Sequence, residues 1–295
     1  MIAPGPWMPF SMVKMSPDNQ NAGWQAGYQP SYESIGTFSH IHEWTLAGLG
    51  IFATNGKLKT NIGDELKPNS GYRSQIDKKT EEAPIGYYKV QLSDYNIKAE
   101  VTATTRCGFE RFTFPTNRDS ARILVDLHIP AEYDYLLKEV KLIKVNDYRL
   151  EGFAHQLSPK IWSNDADQNY TIHFVIEFDK PIKDMGYWED GKAQYADSLQ
   201  AKNIKNAGVF LQFDAKQHPI VQVRSGISLV SIANADLNLK TEINDPFGWS
   251  FDAVRQNQLN AWNDIFNRVK VTTTNRMEKV RFYNSMDRSI CSRNT

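Results

Sequence analysis

Cysteine is nearly absent: Cys107 and Cys291 are the only two in a chain of 295 residues. They lie too far apart, with no second pair nearby, to read as a disulfide framework or a zinc knuckle. Net charge is absent as well. Lys plus Arg number 34 and Asp plus Glu number 34, so no summed field draws the chain to polyphosphate or to an anionic membrane. Nucleic acid is therefore not an expected partner. No run approaches the roughly 20 apolar residues that cross a bilayer, so no membrane span is expected. Met1 to Trp7 has no charged stretch leading into an apolar one, and no signal peptide is read there. No serine sits in a nucleophile elbow and Cys107 lies in a strand-like context, so neither a Ser-His-Asp nor a Cys-His arrangement is signalled. Internal repeats and low-complexity tracts are missing too.

What the chain has is period-two alternation. Tyr88, Val90 and Leu92 share one face while Lys89 and Gln91 share the other, as a half-buried strand requires. After the turn-rich Ser93-Asp94-Tyr95-Asn96, the residues Ile97, Ala99, Val101 and Ala103 alternate with polar neighbours, giving a hairpin partner. Further strands are expected at Phe109–Phe114, Arg122–His128, Val140–Val145, Tyr170–Phe178, Val209–Phe213, Ile220–Val223 and Leu229–Leu239. Many short strands with one polar face each imply a mainly β fold, a large antiparallel β-sandwich whose sheets bury their apolar faces against each other.

The pattern changes after Asp245-Pro246-Phe247-Gly248. Ser250 is placed to cap a helix carrying Leu259, Trp262, Phe266 and Val269 at spacings of three and four. A second helix is expected near Asn275, with Glu278 three residues on and a stripe of Met277, Val280, Tyr283, Met286 and Ile290. The expected division is residues 1–249 as sandwich and 250–295 as C-terminal linker helices.

Phe38-Ser39-His40-Ile41-His42-Glu43-Trp44 is the most unusual stretch. If it is extended, His40, His42 and Trp44 project from one face and Ile41 and Glu43 from the other. Imidazoles can hydrogen-bond sugar hydroxyls or ligate a metal, and an indole can stack on a pyranose. The competing reading is two histidines satisfied inside a sheet; no third ligand is placed by spacing to favour a metal. Gly23-Trp24 and Gly27-Tyr28 put aromatics in a loop, where Trp24 either contacts a ligand or covers a sheet edge. Gly48-Leu49-Gly50 begins a match to the dinucleotide fingerprint, but it runs into Thr54-Asn55-Gly56, which is turn chemistry and not a helix start. Carboxylates for glycoside chemistry, held ~6.5–9.5 Å apart around a water, have candidates in Asp18, Glu33, Glu43, Glu81, Glu82 and Asp94. Spacing alone pairs none of them.

Several segments together resemble one family. Pro9-Phe10-Ser11-Met12-Val13 with Ser16-Pro17-Asp18, Gly36-Thr37-Phe38-Ser39-His40-Ile41-His42, Gly86-Tyr87-Tyr88-Lys89-Val90, Ile97 to Arg106, and Phe109 to Pro115 are similar in order and spacing to the N-terminal domain of glycoside hydrolase family 92. The resemblance implies a galactose mutarotase-like supersandwich joined by linker helices to an (α/α)6 barrel. It also implies a calcium-dependent, inverting exo-α-mannosidase acting on mannose-containing glycans, in a periplasmic or secreted setting. In such an enzyme the general acid, the general base and most calcium ligands belong to the barrel, so no catalytic or metal-binding residue carries over to this chain. The segment that would reach the sugar is Gly36 to Gly50. That makes His40, His42, Glu43 and Trp44, with Trp24, the expected substrate contacts. After His42 the chain has Glu43-Trp44-Thr45-Leu46-Ala47-Gly48 where many members carry Leu-Ser-Gly-Thr-Gly, a departure that bears on linkage and sugar. Two other readings stand beside it: a free-standing carbohydrate-binding or adhesion module, and an intact enzyme that takes Glu43 or another sandwich carboxylate as its acid.

Overall fold

The computed structural model describes residues 4–19, 27–43, 46–67, 69–117, 120–160 and 166–291. Among these residues seventeen strands follow one another: β1 (Ser16–Asp18), β2 (Ser34–Ile35), β3 (Thr37–His42), β4 (Ala47–Thr54), β5 (Ser74–Glu82), β6 (Tyr88–Leu92), β7 (Ile97–Ala103), β8 (Cys107–Thr113) and β9 (Ala121–Asp126), then β10 (Leu136–Asn146), β11 (Arg149–Ser158), β12 (Gln168–Phe178), β13 (Asp184–Glu189), β14 (Lys192–Tyr195), β15 (Ser198–Ile204), β16 (Ala207–Phe213) and β17 (Ile220–Ser228). They form two antiparallel sheets. One has seven strands in the order β1-β3-β4-β9-β16-β13-β14, and the other has ten in the order β15-β10-β11-β12-β17-β8-β7-β6-β5-β2.

The alternation read from sequence sets the register. In β6, Tyr88, Val90 and Leu92 are fully buried while Lys89 and Gln91 are half-buried, and Tyr88 pairs with Val101 and Leu92 with Ile97 of β7. Asn96 closes that hairpin in the left-handed region, at φ 52°, which Asn tolerates better than most residues. Between the sheets an aromatic cluster of Phe38, Phe52, Tyr88 and Phe112, with ring centres 6.1 to 6.3 Å from Phe38, anchors the core. Each such ring contributes roughly 1.5–3 kcal/mol by burial.

The expected strand at Leu229–Leu239 is not a strand. Helix α1 runs from Ile232 to Leu239, with Ser231 as its N-cap accepting from the Asn234 amide at 3.1 Å. Ala235, Asn238 and Leu239 are the buried residues, a three-and-four spacing that period-two reading overlooks. Gly226 of β17 lets the helix lie on the sheet, since a Cβ there would sit 2.3 Å from the Ala235 carbonyl oxygen. A π-helical turn (Lys240–Asn244) and the short α2 (Asp245–Phe247) follow. Then come α3 (Phe251–Phe266) and α4 (Arg276–Cys291).

Helices α1 and α3, with the π turn, cover the outer face of the ten-stranded sheet with a second apolar cluster. Cys107, Phe109 and Val175 meet Ala235, Leu239, Ile243, Phe251 and Val254 there. Glu242 ties the π turn down by accepting from Thr104 Oγ1 and Arg106 Nε, both at 2.6 Å. Ser250 precedes α3, but its side chain makes no capping bond. The buried stripe is Phe251, Val254, Gln258 and Trp262; Val269, expected on it, lies past the helix end and is exposed. Asn275 does cap α4, its Oδ1 accepting from the Met277 amide at 2.9 Å.

Candidate functional site

Strand β3 is extended as expected, and every one of its residues is buried. His40 and His42, two residues apart, meet opposite fates. His40 is 0% exposed. Its Nδ1 is bonded to the Leu49 carbonyl at 2.8 Å and its Nε2 to the Ser225 hydroxyl at 2.5 Å. Burial without a counter-charge pulls the ring down to about 4, so it is a neutral bridge from β3 to β17. A ring with both nitrogens committed inside the core cannot also hold a sugar hydroxyl. The structure gives the residue the satisfied-core role and not the expected contact role.

His42 stands at the end of the same strand, its side chain 2% exposed. Its Nδ1 lies 3.0 Å from Asp18 Oδ2 and its Nε2 3.6 Å from Glu132 Oε2. Burial pulls this ring down as well, but the two carboxylates outweigh it and raise it to about 10. The result is an imidazolium held between two acids, unable to act as a base or a metal ligand while it keeps its proton. Asp18 comes from β1, and Glu132 from the segment 127–135 between β9 and β10. Gly27 closes the arrangement at φ 76°: a Cβ there would come 2.5 Å from His42 Nδ1 and 2.8 Å from Asp18 Oδ1, so only glycine fits. Asn19 fastens the same stem, donating its amide to the Gly27 carbonyl at 2.8 Å and accepting the Gln29 amide at 2.7 Å.

Around this group the 127–135 segment is pinned at several points. Asp126, at the end of β9, accepts from Tyr72 Oη and from the His128 amide at 2.9 Å. Burial outweighs those bonds and raises its carboxyl to about 6. Tyr135 Oη bonds both the amide and the carbonyl of Ile129 at 2.9 Å. His128 Nε2 lies 3.6 Å from Asp134. Beside the segment is an open cleft of about 320 Å³ lined by Asp134, Tyr135, Leu136, Leu157, Ser158, Pro159, Asp167 and Lys205. It combines acceptors, a donor and apolar wall in one concave surface.

Of the other expected contacts, Glu43 is placed: its Oε1 lies 3.2 Å from Lys14 Nζ, at 36% side-chain exposure. Its amide closes the β3–β4 turn by donating to the Leu46 carbonyl at 2.8 Å. Trp24 and Trp44 lie outside the described residues. Glu132 was not singled out from sequence; the acidic and aromatic run Ala131-Glu132-Tyr133-Asp134-Tyr135 is the signal that could have marked it. The glycine-rich run discounted as a dinucleotide site lies in β4, which no helix follows. Among the described residues no three His, Cys, Asp or Glu side chains converge to hold a metal ion. Asp18 and Glu132 both face the His42 ring.

A family model for the glycosyl hydrolase family 92 N-terminal domain matches residues 1–228, and one for the family's catalytic domain matches residues 234–295. The chain belongs to glycosyl hydrolase family 92. It is similar over 92% of its length, at 25% identity and a TM-score of 0.79, to a family GH92 alpha-mannosidase from Bacteroides thetaiotaomicron in complex with mannoimidazole. A GH92 inverting mannosidase from Bacteroides thetaiotaomicron VPI-5482 shares the fold at 17% identity, with a TM-score of 0.79 over 98% of this chain. The family 92 chain described here spans 35% of the first structure and 36% of the second. Comparison with curated proteins returns no match. Among the described residues no helix is long and apolar enough to cross a membrane.

Proposed function

We propose that this chain is the carbohydrate-facing sandwich of an α-mannosidase-type glycoside hydrolase, supplying contacts to mannose-containing glycans but neither the general acid nor the general base. The observation that carries the reading is the match of residues 1–228 to the family's N-terminal domain, in a chain spanning 35% of an alpha-mannosidase. The chemistry of the site supports it. Glycoside cleavage needs two carboxyl groups free to face each other across the scissile bond, and the acids gathered at this end of β3 are engaged otherwise. Asp18 and Glu132 flank His42, Glu43 pairs with Lys14 and Asp126 accepts from Tyr72. The cleft beside them offers Asp134, Asp167 and Lys205 against Leu157 and Pro159, a surface suited to a polyhydroxylated ligand.

Methyl α-mannoside titrated into the 295-residue chain is expected to saturate only at about millimolar concentration, the range of a single shallow contact surface. The chain is expected to release no product from an aryl α-mannoside, with or without calcium. Turnover above a mock preparation would refute the reading. Tight, submicromolar binding would favour a free-standing carbohydrate-binding module instead.

A further inference from the structure

We infer that Asp18, His42 and Glu132 form a charged clasp that positions the 127–135 segment as one wall of the neighbouring cleft, making His42 and Glu132 positioning residues for the glycan contact proposed above. Three separate pieces of chain meet at one ring: β1 through Asp18, the end of β3 through His42, and the 127–135 segment through Glu132. Two and three residues beyond Glu132, the same segment supplies Asp134 and Tyr135 to the cleft. Tyr135 is held rigidly to Ile129, so a shift at Glu132 moves the cleft wall with it.

The clasp is held by charge more than by aligned hydrogen bonds. Asp18 Oδ1 and Oδ2, His42 Nδ1 and Glu132 Oε2 are all buried, and among the described residues none makes an aligned hydrogen bond. In a site shut off from water such groups attract strongly without tight geometry. The charged groups facing His42 are Asp18 from β1 and Glu132 from the segment. Arg73, which donates to the Asn19 carbonyl at 3.0 Å, and Tyr135 feel the charge of Asp18 from further away. The ring therefore keeps its proton across neutral pH, and the wall stays in place through the range in which an ordinary histidine titrates, about pH 6.5.

The test uses the full 295-residue chain, isotope-labelled for NMR, with methyl α-mannoside as the probe. In the unaltered chain the His42 ring is expected to show imidazolium shifts from pH 6 through pH 8.5. His42→Gln and Glu132→Gln are each expected to displace the amide resonances of residues 127–135, leave those of β6 and β7 in place, and weaken mannoside binding by about tenfold. A neutral His42 ring at pH 7, or unshifted 127–135 amides in a folded Glu132→Gln chain, would overturn the clasp. If the unaltered chain binds no mannoside, the functional reading fails alone, because the ring titration and the amide shifts decide the clasp without any ligand.

Discussion

Two histidines on one strand, separated only by Ile41, show how completely position along a sheet decides chemistry. His40 lies where β3 crosses the other sheet, and it meets a carbonyl and a hydroxyl. Nothing there pays back the desolvation of a charge, so the ring is neutral. His42 lies where the strand ends, and it meets two carboxylates. There the neutral ring would leave two buried anions uncompensated, so the proton stays. The same side chain on the same face of the same strand is a core bridge in one place and a buried cation in the other.

The sharpest way to break this comparison is to remove one charge from the end of the strand. His42→Ala leaves Asp18 and Glu132 facing each other without a cation, and the expected loss is about 3–5 kcal/mol, read as a fall in the urea midpoint. His40→Ala leaves a cavity and two unpartnered polar groups in the core, and is expected to cost roughly 2–4 kcal/mol. The two variants should separate in function even where they are close in stability. His40→Ala is expected to leave mannoside titration unchanged, because the ring touches no surface.

Acid and base then distinguish the pair without any mutation. His40 is held down to about 4 when folded and returns to about 6.5 when unfolded, so the unfolded chain binds the extra proton. Its contribution is complete above pH 6.5 and is lost as pH falls toward 4. His42 is raised to about 10, so its contribution is complete below pH 6.5 and is lost as pH rises toward 10. Urea unfolding from pH 4 to pH 10 should therefore show an acid limb that flattens in a His40→Asn chain and an alkaline limb that flattens in a His42→Gln chain. If both limbs respond to the same substitution, the assignment of opposite charge states is wrong.

Smaller effects sharpen the contrast between core and rim. Glu110 is fully buried in β8, its carboxyl has no side-chain hydrogen-bond partner among the described residues, and burial pushes it well above its usual range. Replacing it with Met removes a dehydrated polar group, and a gain on the order of 1 kcal/mol at neutral pH is expected from the urea midpoint. Lys14→Ala breaks the half-exposed pair with Glu43 and is expected to cost under about 1 kcal/mol, less still in high salt.

Much of the fold was legible because sheet packing is written locally. Alternation in Tyr88–Leu92 and Ile97–Ala103 gave the hairpin and its register, since a one-residue slip would turn every apolar side chain outward. Leu229–Leu239 reads as a strand because Ala235 and Leu239, four apart, are also in phase with a two-residue period; Asn238, three residues after Ala235, is buried with them and fits only a helix. The site was legible in part. Extension of Phe38–His42 put His40 and His42 on one face, but not which of them would find acids. Glu132 was marked only by the acidic and aromatic run Ala131-Glu132-Tyr133-Asp134-Tyr135, which says nothing about the ring it would meet.

The sequence by itself determined that the chain builds stacked antiparallel sheets, that two imidazoles project together from β3, and that the order of its segments resembles family 92. Only the tertiary structure decided which imidazole is charged. Alternation is a property of neighbours along the chain, whereas a proton is held by whatever charges arrive in space. For His42 those arrive from β1 and from the segment after β9, brought together by the packing of the sheet and not by anything adjacent in sequence.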